Sequence, residues 1–146
     1  MKIAIASDHA GYELKQKLQP FLTEFGHEIQ DFGPDTAAFS VDYPDFASHV
    51  AKAVQTKKAD LGVVICGTGI GMSIAANKHQ GIRCALCHDC YTARVTREHN
   101  DSNMIALGAR VVGEDLAKEI MKVFLAADFE GGRHQQRIDK VMSLEK

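Results

Sequence analysis

The chain has no tryptophan and only three prolines in 146 residues. No stretch of it approaches the ~20 apolar residues that span a bilayer. It also lacks a dominant charge. Its 17 Lys and Arg stand against 19 Asp and Glu, a formal net charge of −2, which offers no general attraction to nucleic acid or to an anionic membrane. The opening residues Met1-Lys-Ile-Ala-Ile-Ala6 run straight into a strand pattern, with too few apolar residues for a secretory signal. A cytoplasmic location is therefore expected. Cysteine is sparse, four residues in all, which suits a reducing compartment rather than a disulfide-stapled scaffold.

Three of those cysteines crowd into Cys84-Ala-Leu-Cys87-His88-Asp-Cys90. The spacing has the form of a c-type haem attachment and of part of an iron–sulfur or zinc pattern. Haem attachment needs export, however, and a four-ligand site lacks its second nearby pair, although His88 could complete a distorted one. Arg83 to Leu86 also reads as a strand in which Cys84 is a small buried hydrophobe. Packing is the expected role, and bound metal or haem is the alternative.

What is present is ordinary for a globular protein: 45% hydrophobic and 25% charged residues, enough chain for one domain over 1–146 with its own core. Lys2 to Ala6 reads as the first strand, with Ser7 or Asp8 as N-cap of a helix carrying Leu14, Leu18, Phe21, Leu22 and Phe25 and stopping at Gly26. His27 to Phe32 reads as a strand ending in Gly33-Pro34. After a loop, Tyr43-Pro44 opens a helix with Phe46, Val50, Ala53 and Val54 on one side. Strands are expected at Leu61–Cys66, Ile82–Leu86 and Asn103–Leu107. Helices are expected up to about Asn77, from Tyr91 to about His99, from Glu114 to Ala126 with Leu116, Ile120, Val123 and Phe124 inward, and from the Arg133 region through Met142. Strands alternating with helices at this spacing predict an α/β fold: a doubly wound, Rossmann-like, parallel five-stranded sheet with helices on both faces.

The chemistry concentrates where Leu61-Gly-Val-Val-Ile-Cys66 meets Gly67-Thr68-Gly69-Ile70-Gly71. A strand that ends in glycine and turns into a helix gathers backbone N–H groups at one point, which attracts anions. Cys66 stands at its mouth as a usable base or nucleophile. The dinucleotide fingerprint G-x-G-x-x-G does not fit, because the turn follows the third strand and Met72 holds the last glycine position. Ligands in such sheets sit beyond the carboxyl ends of the strands, where Asp8 and His9 would join Cys66. Asp8 has a plain reading as a helix cap, and His99 as a cation at a helix C-terminus. Arg133 and Arg137, four residues apart, read either as a solvated basic face or as a fork for a phosphate dianion.

Taken together these segments resemble the ribose-5-phosphate isomerase B family, within the group that includes the galactose-6-phosphate isomerase subunits. The matching stretches are Ser7-Asp8-His9-Ala10-Gly11, Asp42-Tyr43-Pro44, Ile65-Cys66-Gly67-Thr68-Gly69-Ile70-Gly71, Ala75-Ala76-Asn77-Lys78 and His99-Asn100-Asp101, followed by Leu107-Gly108-Ala109-Arg110-Val111-Val112-Gly113 and Glu130-Gly131-Gly132-Arg133-His134-Gln135-Gln136-Arg137. Cys84 departs from the pattern, where alanine or a similar small residue is expected.

The resemblance implies reversible aldose–ketose isomerisation of ribose 5-phosphate and ribulose 5-phosphate, as in the pentose phosphate pathway, with no metal and no organic cofactor. It implies a homodimer or a dimer of dimers whose sites are shared between chains. On that basis Cys66 is the expected base for the C2 proton, and His99 the acid that opens the sugar ring. Asp8 holds or deprotonates a sugar hydroxyl, and Thr68 with the amides of Gly67, Thr68, Gly69, Ile70 and Gly71 stabilises the enediolate. His9, Arg110, Arg133 and Arg137 hold the phosphate, while Tyr43 and Asn100 contact the sugar. Two alternatives remain open: an isomerase of a 6-phosphohexose such as allose or galactose 6-phosphate, and a non-catalytic phosphosugar-binding domain.

Overall fold

The computed structural model describes residues 1–145. Its elements follow in chain order: β1 (Lys2–Ser7), α1 (Tyr12–Glu24), β2 (Glu28–Asp31), α2 (Tyr43–Gln55), β3 (Leu61–Cys66), α3 (Ile70–Ala76), β4 (Cys84–Leu86), α4 (Cys90–Asn100), β5 (Met104–Gly108), α5 (Glu114–Ala126) and α6 (Arg133–Met142). The five strands form one sheet in the order β2-β1-β3-β5-β4, and every pairing is parallel. The expected fold class is therefore the observed one. No helix among the described residues is long and apolar enough to cross a membrane.

The side-chain period of two sorts each central strand onto two cores. Ile3, Ile5, Leu61, Val63, Ile65, Ile105 and Leu107 face one side with α1, α4 and α5. Ala4, Ala6, Val64, Cys66, Met104 and Ala106 face the other with α2 and α3. Cys66 therefore lies on the α3 face, beside the helix its own loop begins. The same alternation disposes of the cysteine cluster. Cys84 packs in the α2/α3 core, while Cys87 and Cys90 pack in the core across the sheet. Burial pushes the Cys84 thiol far up and the Cys87 thiol up to about 11. Thiols on opposite faces of a sheet cannot share an ion, so the cysteine metal or haem reading falls.

Several local expectations change. Neither Ser7 nor Asp8 caps α1, whose N-cap is Gly11. The Asp8 carboxylate instead accepts the Gly11 N–H at 2.9 Å, one step earlier in the turn. Phe25 is exposed just past the end of α1. Leu116 is 42% exposed, Val123 is only partly buried, and α5 docks through Ala117, Ile120, Met121 and Phe124. Ile120 and Phe124 face inward as expected, and Ala117 and Met121, rather than Leu116 and Val123, complete the buried stripe. His27 lies outside β2 and Asn103 outside β5, while β4 begins at Cys84 and α4 at Cys90. The buried Lys15 is unexpected. Its ammonium donates to both Asp31 oxygens, at 2.8 and 2.9 Å, and to the Pro34 carbonyl at 2.8 Å, so its charge is fully partnered.

β1 and β3 are adjacent, and the chain leaves β1 toward one edge and β3 toward the other. Their carboxyl ends thus flank the topological switch point, where doubly wound sheets bind ligands. Gly11 makes the junction tight: a Cβ there would stand 2.4 Å from the Ile65 carbonyl oxygen. Gly11→Ala is accordingly expected to lose about 1–3 kcal/mol or more of stability in urea unfolding, the typical cost of overpacking against backbone.

Candidate active site

At the switch point the chain brings together most of the residues expected there. Asp8 is buried behind the Gly11 amide. His9 accepts the Val41 N–H on Nδ1 at 3.2 Å, so the neutral ring carries its proton on Nε2, facing away from that bond. The Tyr43 ring lies against the glycine turn, and a Cβ on Gly71 would sit 2.6 Å from its Cε2 and Cζ. Arg110 reaches in from beyond β5. Its Nη1 lies 3.4 Å from where a Gly67 Cβ would stand, and its own N–H donates to the Gly67 carbonyl at 2.9 Å.

Cys66 is 5% exposed, and its Sγ accepts the Gly69 N–H at 3.1 Å. Gly69 has φ +77°, a left-handed conformation that side chains disfavour, and a Cβ there would meet Leu86 Cδ1 at 2.6 Å and the Leu107 carbonyl carbon at 2.9 Å. Glycine is needed on both counts. The Ile70 N–H donates to Thr68 Oγ1 at 3.2 Å. With Gly69 and Ile70 so engaged, the amides of Gly67, Thr68 and Gly71 have no protein acceptor among the described residues. These three, rather than all five, are the donors open to a ligand.

His99, Asn100, Arg133 and Arg137 do not join this cluster within one chain. Met104 pairs with Gly62 and Gly108 with Cys66. The start of β5, where α4 delivers His99 and Asn100, therefore lies four rungs, or about 13 Å of strand, from the level of Cys66. His99, Asn100, His134 and Arg137 instead line an open groove of about 1030 Å³ at the amino ends of the strands, together with Cys84 and Val141. Arg133 begins α6 beside it and is exposed.

In this second cluster His99 stacks on His134, with centroids 4.1 Å apart and planes 9° from parallel. Glu130 Oε2 lies 3.8 Å from His99 Nε2 and 3.4 Å from His134 Nε2. His134 is 5% exposed and its buried Nε2 has no hydrogen-bond partner. Burial, then the charges of His99, Arg133 and Arg137, hold its pKa below the usual histidine value against the opposing Glu130. The three ligand atoms lie within 4.8 Å of one another. Stacked imidazoles point their Nε2 lone pairs side by side, whereas a tetrahedral ion needs them to converge. A carboxylate beside two imidazoles suits the handling of a proton.

The parts played by Glu130 and by His88 do not follow from the motifs that contain them. Glu130 shows only as a carboxylate four residues before His134. His88 donates to the Thr68 carbonyl from Nε2 at 3.2 Å, whereas the Cys84-to-Cys90 spacing offers it only as a metal or haem ligand.

The fold has close counterparts. The model of the Ribose/Galactose Isomerase family matches residues 3–141. Ribose-5-phosphate isomerase B of Escherichia coli is 48% identical over 145 residues, 99% of this chain and 97% of that protein. The solved ribose-5-phosphate isomerase B of Clostridium thermocellum superposes with a TM-score of 0.98 at 54% identity, covering 99% of this chain and 97% of its own. The Mycoplasma genitalium enzyme of that name, solved with bound ribulose 5-phosphate, gives 0.94 at 43% identity, covering 99% and 95%. With the family model and these relatives matched along nearly its whole length, the chain belongs to the Ribose/Galactose Isomerase family and is a sugar-phosphate isomerase.

Proposed function

We propose that this chain interconverts ribose 5-phosphate and ribulose 5-phosphate, and that each site is completed by a second copy of the chain. The observation that carries the reading is Cys66 at the switch point, its sulfur amid backbone amides that face no other acceptor. The likeness to an enzyme solved with ribulose 5-phosphate supports the choice of substrate.

The sugar ring opens first. His99 of the second copy protonates the ring oxygen, while Asp8 takes or holds the anomeric hydroxyl proton. Cys66, as the thiolate, then removes the proton from C2, and the pair left behind forms the cis-enediolate. Passage of the O2 hydroxyl proton to O1 and return of the C2 proton to C1 give the ketose. A C–H beside a carbonyl is too weak an acid for a side-chain base unless the oxyanion is held. The Gly67, Thr68 and Gly71 amides and the Thr68 hydroxyl are placed for this, and one such donor is typically worth about 3–4 kcal/mol. His9 Nε2 and Arg110 grip the phosphate from one copy, and Arg133 and Arg137 from the other. Binding energy from the phosphate end orients the reacting carbons. Tyr43 and, from the second copy, Asn100 contact the sugar.

The second copy is invoked because the β5 register and the groove at the amino ends of the strands keep His99 and Arg137 away from Cys66. The exposed Val141 and Leu144 around the groove give a partner apolar surface to cover.

The test is incubation with ribose 5-phosphate plus a chelator, following ketose formation, beside allose 6-phosphate and galactose 6-phosphate. Turnover of the pentose is expected with the chelator present. A preference of about a hundredfold for either hexose, as much as one carbon in a pocket can confer, overturns the pentose assignment.

A further inference from the structure

We propose that His88 is a positioning residue for this site, acting on Cys66 through the single peptide unit that joins Thr68 to Gly69. The inference rests on the reading of Cys66 as the base. The carbonyl of that peptide accepts from His88 Nε2 at 3.2 Å, and its N–H donates to the Cys66 sulfur at 3.1 Å. Because a carbonyl only accepts, the imidazole hydrogen sits on Nε2. The chain of bonds is Nε2–H to O=C, then N–H to Sγ, with peptide resonance connecting the two halves.

Three consequences follow. Drawing electron density at the carbonyl makes the Gly69 N–H a better donor, since hydrogen bonds in series strengthen one another. That donor favours the sulfur when it carries negative charge. The bond also fixes the peptide plane. Gly69 is the residue in this turn freest to rotate, and a flipped plane would turn a carbonyl oxygen where the sulfur now meets an N–H.

The surroundings are shaped to admit the imidazole. A Cβ on Gly108 would stand 2.6 Å from the Thr68 carbonyl oxygen and 3.0 Å from His88 Nε2. The bare glycine at the end of β5 is what lets the ring reach the loop. Leu86, two residues before His88, packs its Cδ1 where a Gly69 side chain would be. The end of β4 thus braces the peptide on one side and holds its oxygen on the other.

The test compares wild type, His88→Phe, His88→Ala and His88→Gln. Phenylalanine keeps the bulk without a donor, whereas the glutamine amide can still donate to the Thr68 carbonyl. Loss of one hydrogen bond that supports a charged group is expected to lower kcat about tenfold in the Phe and Ala variants, with KM within about twofold, and Gln is expected to restore kcat to within about threefold. A second readout does not depend on the substrate: the rate of Cys66 alkylation by iodoacetamide, followed by mass spectrometry of the peptide that carries it. It is expected to fall about tenfold in His88→Phe and to recover in His88→Gln.

A loop merely loosened by the substitution exposes the sulfur and speeds alkylation instead. Faster alkylation in His88→Phe, or kcat and alkylation both unchanged, overturns the proposal. A wild type inactive on ribose 5-phosphate overturns the substrate reading and leaves the alkylation arm to decide the role of His88.

Discussion

Cys66→Ala is expected to lower kcat on ribose 5-phosphate by about 10²–10⁴-fold, the usual contribution of a positioned acid or base, with affinity for the phosphosugar largely kept. On the division of work proposed above, His9 and the arginines hold the phosphate and the sulfur does not, so binding is expected to survive the loss of the thiol. The C2 proton has no other base in its place: Asp8 is buried against the Gly11 amide, and His88 has its Nε2 on the Thr68 carbonyl.

Cys66→Ser refines the test. A serine oxygen can still accept the Gly69 N–H that Sγ accepts now, so the loop keeps its anchor, but a hydroxyl is far too weak a base at neutral pH. Both variants should therefore fail in kcat while titration calorimetry with ribulose 5-phosphate shows binding near that of wild type. Unchanged turnover removes Cys66 as the base. Binding lost in the alanine variant and kept in the serine variant assigns the sulfur to holding the loop.

The strands and the helix faces were legible because side-chain period is a local property. Alternating Ile and Ala in β1, and the unbroken apolar run of β3, state which residues are buried before any partner is known. The order of strands is not local. β5 lies beside β3 and pushes β4 to the edge, a choice made by pairing between distant segments that leaves no mark on either one. Leu116 is a poor guide for a related reason: size signals burial in a sequence, but in α5 it is the small Ala117 that is buried and Leu116 that is exposed.

The site split along the same line. Cys66, the glycines and Asp8 follow strands directly, and in a parallel sheet the end of a strand already says which end of the molecule it occupies. His99 ends a helix, so its position depends on where the next strand begins and on the register of that strand with β3. The stacked pair it forms with His134 joins α4 to α6 across a loop, and no motif records such a contact.

That register leads to the sharpest test of the whole account. Cys66→Ala and His99→Asn, each almost inactive alone, are expected to recover about a quarter of wild-type activity when co-expressed in equal amounts, if two-fold-related copies exchange residues across a shared face. About half of the dimers are then mixed. In each mixed dimer one site takes its cysteine from the His99→Asn chain and its histidine from the Cys66→Ala chain, and so is intact, while the other site has lost both. A second mixture guards against recovery for trivial reasons. Asp8 and Cys66 stand at the same switch point of one chain, so Asp8→Asn mixed with Cys66→Ala leaves every site with one of the two missing, and no activity should return. Recovery in both mixtures points to repair by something other than sharing. Recovery in neither places His99 outside the catalytic site, because the four rungs of sheet between His99 and Cys66 forbid the pair from meeting within one chain.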